Sequence, residues 1–387
     1  MMEVIYFALT VSILVTFIAT GIFFLKRKNI HIWIFSYLKE YFKRKLKPNS
    51  RNCTHIMFCL VDHFEPKRGN VNREKEIERV SMWIQRYSRL LKTHKDWEEI
   101  PPKYTFFYPI DECSLEVMDI LSKIHKKGWG EVEIHLHHNG DTPSSLKEKL
   151  EYGKEIFSRY GFLSKNKFTG EIGYAFVHGN WALDNSRKDG KWCGVNNELE
   201  ILKETGCFAD FTLPSWPSET QTKKINSIYY AKDTPDPKSH NVGRDVEAGK
   251  RPWGDLMLIQ GPLALNWKRR KWGIFPKVEN GEISSINLPT TERIDLWIKQ
   301  RISVKGKPDW IFVKVYTHGV RDDNLKEEFF KGLDSMFSYL EKKYNDGSKF
   351  RLHYVTAREM YNIIKAAEAG KKGNPSQYRD YIFEPLG

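Results

Sequence analysis

Several motifs are missing from this 387-residue chain. No G-x-G-x-x-G follows its first apolar run and no Walker-type loop occurs, so the nucleotide-binding α/β folds lose their signature. No G-x-S-x-G elbow is present, which removes the usual serine-hydrolase arrangement. Ser215, in Leu213-Pro214-Ser215-Trp216-Pro217, sits in a shaping turn and reads as structural or substrate-contacting. Cysteine is sparse. Cys53, Cys59, Cys113, Cys193 and Cys207 form an odd, scattered set without a C-x-x-C pair, which points to reduced thiols and a cytosolic face. No internal repeat is visible, and only the last fifteen or so residues look poor in structure.

Acid is nearly absent from residues 26–51, which hold nine Lys and Arg against Glu40 alone. That stretch carries +8 of the formal charge of +13, so the basic excess is local rather than spread over a nucleic-acid face. It follows Val4–Leu25, an uncharged apolar run long enough as a helix to span about 30 Å of hydrocarbon. The segment before the run has Glu3 and no Lys or Arg, and Lys26-Arg27-Lys28 follows it. This is the pattern of an uncleaved anchor, not of a cleaved signal peptide. The positive-inside rule places the C-terminal side in the cytoplasm, with anionic lipid as the partner of the basic segment. Ile30, Trp33, Ile34, Tyr37, Leu38, Tyr41 and Phe42 recur at helical spacing, which predicts an amphipathic helix in the membrane interface. Packing on the main domain is the alternative.

Beyond Cys53, apolar runs at 54–61, 104–110, 131–137, 172–178, 208–213, 256–263, 310–317 and 350–355 alternate with amphipathic stretches. Such alternation predicts parallel pairing with right-handed crossovers. The expected fold is α/β: a distorted (β/α) barrel of seven or eight parallel strands behind an N-terminal transmembrane helix. The expected divisions are an anchor (1–28), a basic amphipathic segment (29–51), the barrel domain (52–368) and a C-terminal tail (369–387). The proline-rich connection 214–255 reads as an ordered loop over the site. Residues 266–287 read as a hairpin turning at Glu279-Asn280-Gly281. Its Trp267–Trp272 stretch, with four cations between the tryptophans, is either a solvated rim or a contact for an anionic substrate or lipid headgroup.

In parallel barrels chemistry gathers at the C-terminal strand ends. Here those ends carry Asp62, His63 and Glu65; Asp111; His135, His137, His138 and Asp141; His178, Asn180 and Trp181; Ser215 and Trp216; and His318. One strand-end histidine is ordinarily structural, but six strands repeating the pattern imply a shared site. Imidazole with carboxylate suits Zn²⁺ or a similar divalent ion. In an extended strand His135 and His137 share a face and His138 opposes them. Past the turn, His137 and Asp141 could grip one ion, with Asp62 or His63 as a third ligand.

This order of motifs resembles the polysaccharide deacetylase (carbohydrate esterase) superfamily over roughly 52–365. The resemblance implies a distorted (β/α) barrel and metal-dependent amide hydrolysis of N-acetylated sugars. Val61-Asp62-His63 is similar to the family's first motif, a strand-end acidic pair supplying a base and a metal ligand. His137-x-x-x-Asp141 stands where the family has His-x-x-x-His, and Val315-Tyr316-Thr317-His318 resembles its final motif. The implied roles are Asp62 as base and His318 as acid, with His63, His137 and Asp141 as metal ligands. Asp111, His178, Asn180, Trp181, Ser215 and Trp216 would contact a carbohydrate substrate. The family's strand-four Arg is absent; Phe176-Val177-His178-Gly179-Asn180-Trp181 stands there instead. Two other activities fit the same residues: a glycoside hydrolase using Glu65 and Asp111, or a non-catalytic sugar-binding or scaffold subunit. A reporter fused after Gly387 is expected to score as cytoplasmic; an external signal would reverse the assigned orientation.

Overall fold

The computed structural model describes residues 2–46 and 53–386. Eight strands form the framework: β1 (Thr54–His63), β2 (Tyr104–Pro109), β3 (Gly130–Leu136), β4 (Ile172–His178), β5 (Cys207–Asp210), β6 (Leu256–Ile259), β7 (Trp310–Thr317) and β8 (Phe350–Tyr354). All eight pair in parallel, in the order β7-β1-β2-β3-β4-β5-β6. β8 lies beside the first half of β1. Amphipathic helices intervene, as the sequence predicts. Asn72 caps Arg73–Leu90, and capping boxes start Pro143–Arg159 and Ala357–Glu368.

The sheet is buried on both faces, as parallel sheets are. Alternation along β1 sends Ile56, Phe58 and Leu60 to the core under the helices, and Met57, Cys59 and Val61 to a second core on the other face. The result is a mixed α/β fold around one large, mostly parallel sheet. Among the described residues the ladder does not close into the expected barrel. The reason lies in 214–255, expected to be a loop. It contributes Ile228–Ala231, which pairs antiparallel with β6 and takes the edge that β7 would need. Arg244–Asp245 extends that edge. Lys314 on β7 still reaches across, donating from Nζ to the carbonyls of Phe211 and Leu213 at 2.7 and 2.6 Å.

Other expectations shift. The hairpin is Ala264–Lys271 with Phe275–Glu279, turning at Trp272-Gly273, where both residues have positive φ. Glu279-Asn280-Gly281 instead leads into Glu282–Ile283, which pairs with β7. The C-terminal tail folds back: Phe383–Pro385 pairs with Ser164–Asn166, and Arg379 reaches the Glu359 carboxylate.

At the other end, α1 (Met2–Arg27) and α2 (Ile34–Leu46) are helical. Several α1 side chains lie outside the described set. Among the described residues no helix is long and apolar enough to cross a membrane. The spanning role expected of Val4–Leu25 therefore rests on sequence, and residues 47–52 lie outside the description. The α2 segment does not simply lie free. Trp33 and Tyr37 are buried against Ile225, Leu263 and Ala264. Trp216 Nε1 donates to the Lys28 carbonyl at 2.7 Å, and Asn29 donates to that of Pro217 at 3.0 Å. Phe35, Leu38 and Phe42 remain exposed on its outer side.

Beside this junction, Arg293 is fully buried and clamps Glu279 through Nε and Nη2 at 2.7 and 2.8 Å. Removing one partner of a buried pair strands the other charge. Arg293→Ala is expected to cost about 3–5 kcal/mol in chemical denaturation, while the exposed Lys299→Ala changes little.

Candidate metal centre

Strand parity builds the site. His63 closes β1 on the side of Met57, Cys59 and Val61, and Glu65 follows two residues later. His135 on β3 and His137 just past its end come to the same place. Glu65 Oε1 lies 3.4 Å from His135 Nε2 and 3.3 Å from His137 Nε2. The His63 ring is 5.1 Å from that of His135 and stacks on His318 at 4.8 Å. Asp111, past β2, takes the other side of His137. Its Oδ2 lies 3.4 Å from Nδ1, and its Oδ1 accepts the His137 amide at 3.0 Å.

One hydrogen bond decides what this cluster can hold. His135 Nδ1 is 2.7 Å from the Val177 carbonyl, which can only accept, so Nδ1 carries the proton. His135 Nε2 is buried, makes no hydrogen bond, and faces a Glu65 oxygen. Either an imidazolium proton or a metal ion can supply positive charge between the two atoms. Ligands at about 2.0–2.1 Å from a tetrahedral ion stand about 3.3–3.4 Å apart, which matches both Glu65 distances. Backbone-anchored imidazole is also the usual outer support of a metal-ligating histidine. Two groups here could in principle hold a metal ion: buried His63, Glu65 and His135, each with a ligand atom within 4.8 Å of the others, and the more open Asp111, Glu112 and His137, which meets the first group through Glu65.

Charge follows the same geometry. Burial disfavours the His137 cation, but Asp111 and Glu65 outweigh it and push its pKa up to about 10. Burial also opposes ionisation of Glu65, yet His135, His137 and His318 hold it well below the carboxylate range. A divalent ion would supply the positive charge that protons otherwise bring. Burial holds His318 down to about 4, so its ring rests neutral and not as the proton-loaded acid expected from sequence.

The remaining expected residues fall into three places. Trp181 stays at the centre, its ring 6.5 Å from that of His63, with Asn180 exposed beside it. Asp62 faces away: its oxygens accept from the Gly319 amide at 2.7 Å and the Tyr104 hydroxyl at 2.8 Å. It fixes the turn after His318 and is not placed as a base. Ser215 is buried and accepts from the Thr220 hydroxyl, while Trp216 secures the end of α1. Asp141 does not meet His137. It joins His138 at 3.0 Å, with Lys149 and Ser145 on its oxygens. His178 belongs with His138 on the opposite face of the sheet. Residues with no ligand role expected from sequence enter the clusters: Glu65, His135, Asp111 and Glu112 here, and His138, His178, Cys193 and Glu198 on the other face. The i, i+2 repeats His63/Glu65 and His135/His137 at two strand ends were the available signal.

No protein-family model matches the chain, and no curated protein matches its sequence.

Asp62→Ala would leave the buried Gly319 amide unpaired, a loss of about 1–3 kcal/mol. The expected outcome is lower thermal stability, with metal content unchanged because Asp62 holds no ion. Loss of metal would instead place Asp62 among the ligands.

Proposed function

We propose that this chain is a membrane-anchored, metal-dependent hydrolase that removes acetyl groups from an amino sugar of a surface polysaccharide or its lipid-linked precursor. The observation that carries the reading is the Glu65 oxygen shared by two histidine nitrogens, one of them on a ring anchored by the Val177 carbonyl. The N/O donor set suits zinc. When bound, such an ion polarises a carbonyl and lowers the pKa of a coordinated water. The site is open at one side, where the His137 and Asp111 side chains are 24% and 27% exposed. Trp181 offers a ring face for a sugar.

In amide hydrolysis a water oxygen bonds to the carbonyl carbon and the C–N bond breaks. Acetate and a free amine result, the amine taking up the proton that water gave. His318 has no hydrogen bond to either ring nitrogen among the described residues, and it stacks on His63. Its place beside the donors suits it to carry that proton from water to the amine. The glycoside-hydrolase alternative needs one carboxyl kept protonated. Glu65 and Asp111 both flank His137 and are held ionised, against the push of burial, by that contact among others. That observation favours deacetylation.

Anchoring agrees with the surface. Phe24 at the end of α1 packs edge-on against Trp272 at the hairpin tip, 6.3 Å between centroids. Trp267, Trp272, Ile274 and Phe275 are exposed there among Lys268, Arg269, Arg270 and Lys271. Exposed tryptophans amid cations suit the interface of an anionic cytoplasmic leaflet.

The test uses the full chain in detergent with N-acetylated oligosaccharides. Acetate release should stop on chelation and return with Zn²⁺, and His135→Ala should lower kcat/KM at least about 100-fold. A metal-loaded chain that releases no acetate would sink the hydrolase reading and leave the sugar-binding scaffold.

A further inference from the structure

Behind the sheet lies a second cluster that the reaction does not use. His138, just past β3, and His178, at the end of β4, meet Cys193 and Glu198. All four are buried, and one ligand atom from each lies within 4.8 Å of the others. His138 Nε2 is 2.8 Å from His178 Nε2 and 3.2 Å from Glu198 Oε1. Glu198 Oε1 is 3.4 Å from His178 Nε2, and Cys193 Sγ is 3.4 Å from Glu198 Oε2.

Each donor is oriented from behind. His178 Nδ1 lies 2.5 Å from the Gly179 carbonyl, so it holds the proton and Nε2 offers a lone pair. His138 Nδ1 lies 3.0 Å from Asp141 Oδ2 without a hydrogen bond, a charge contact on the side away from Nε2. Glu198 Oε2 accepts the Asp184 amide at 2.5 Å, which turns Oε1 inward. The amides of Asn185 and Val195 both point at Cys193 Sγ, at 3.3 and 3.4 Å. Burial and Glu198 push the Cys193 pKa up, so the thiolate would form only with an ion bound, and the two N–H groups would then support it. Imidazole nitrogens backed by a carboxylate and a carbonyl are the usual support of metal ligands.

We propose that His138, His178, Cys193 and Glu198 form a second, structural metal site for zinc, separate from the Glu65 centre. Two neutral imidazoles, one thiolate and one carboxylate balance a divalent charge. Four protein ligands and full burial mark a closed structural site rather than a catalytic one. The two histidines need to part by about half an ångström to reach a tetrahedral edge.

The strained connection after β4 gives the site its purpose. Asn180, Trp181, Asp184 and Asn185 all have φ between 48 and 55°, a left-handed conformation that non-glycine residues keep only when their surroundings over-determine it. An ion joining the ends of β3 and β4 to Cys193 and to the helix Glu198–Glu204 pins both ends of that connection. Trp181, beside His63, rides on it. The inference does not depend on the reaction assigned to the first site.

Substitution with Co²⁺ in the full chain separates the two sites, because only the second contains sulfur. A near-ultraviolet thiolate-to-cobalt charge-transfer band is expected in the wild type. It should persist in His135→Ala and vanish in Cys193→Ser. In case Cys193→Ser fails to fold, pulsed alkylation of the wild-type chain as it opens in denaturant, with and without Zn²⁺ preloading, gives a second reading by mass spectrometry. Cys193 should be the cysteine that bound zinc slows, and chelation should abolish the difference. A wild-type chain with no sulfur-derived band, or a band that survives Cys193→Ser, overturns the proposal. Equal labelling of Cys193 with and without zinc does the same and leaves a metal-free hydrogen-bonded network.

Discussion

The hydrogen bond from His135 Nδ1 to the Val177 carbonyl ties the framework to the chemistry. It spans the β3–β4 pair at 2.7 Å, so it exists because those strands are parallel neighbours in this register. By anchoring Nδ1 it turns the other nitrogen towards Glu65. The rest of the site is arranged around that contact: His137 meets Glu65 on one side and Asp111 on the other, and Glu65 is held ionised. The β3–β4 ladder is therefore part of the centre and not only its support.

The same pair of strands also divides the molecule. Side chains alternate along a strand, so consecutive residues serve opposite faces. His135 and His137 serve the mouth of the interior core, while His138 and His178 serve the helical side. Three histidines within four residues thus supply two clusters. Loop and helix residues finish the second cluster, and residues from β1 and β2 finish the first.

Much of this was legible in sequence. All eight strands appear where apolar runs sit between amphipathic stretches, because burial on both faces leaves a continuous apolar signature. The strand-end site was legible for His63, His137 and His318, which converge. Asp141 was misplaced because spacing along the chain does not report where a turn sends its side chain. Lys149 and Ser145, both on the following helix, draw it towards His138 instead. Glu198 and Cys193 were out of reach, since Glu198 lies 60 residues from His138 and the group meets only in the fold. The open sheet edge was hidden for a similar reason. Ile228–Ala231 lies in a proline-rich stretch whose composition signals a loop, and only its pairing with β6 makes it a strand. Trp33 and Tyr37 show the limit of helical periodicity: a stripe predicts burial but not whether protein or lipid provides it.

The central claim is that Glu65, His135 and His137 hold one divalent ion at the mouth of the sheet. An anomalous difference map from crystals of the full chain grown with zinc, recorded across the zinc edge, tests it most directly. A peak about 2.0–2.2 Å from Glu65 Oε1, His135 Nε2 and His137 Nε2 is the expected result. A map with no peak among these atoms, and Glu65 joined directly to protonated histidines, would contradict it.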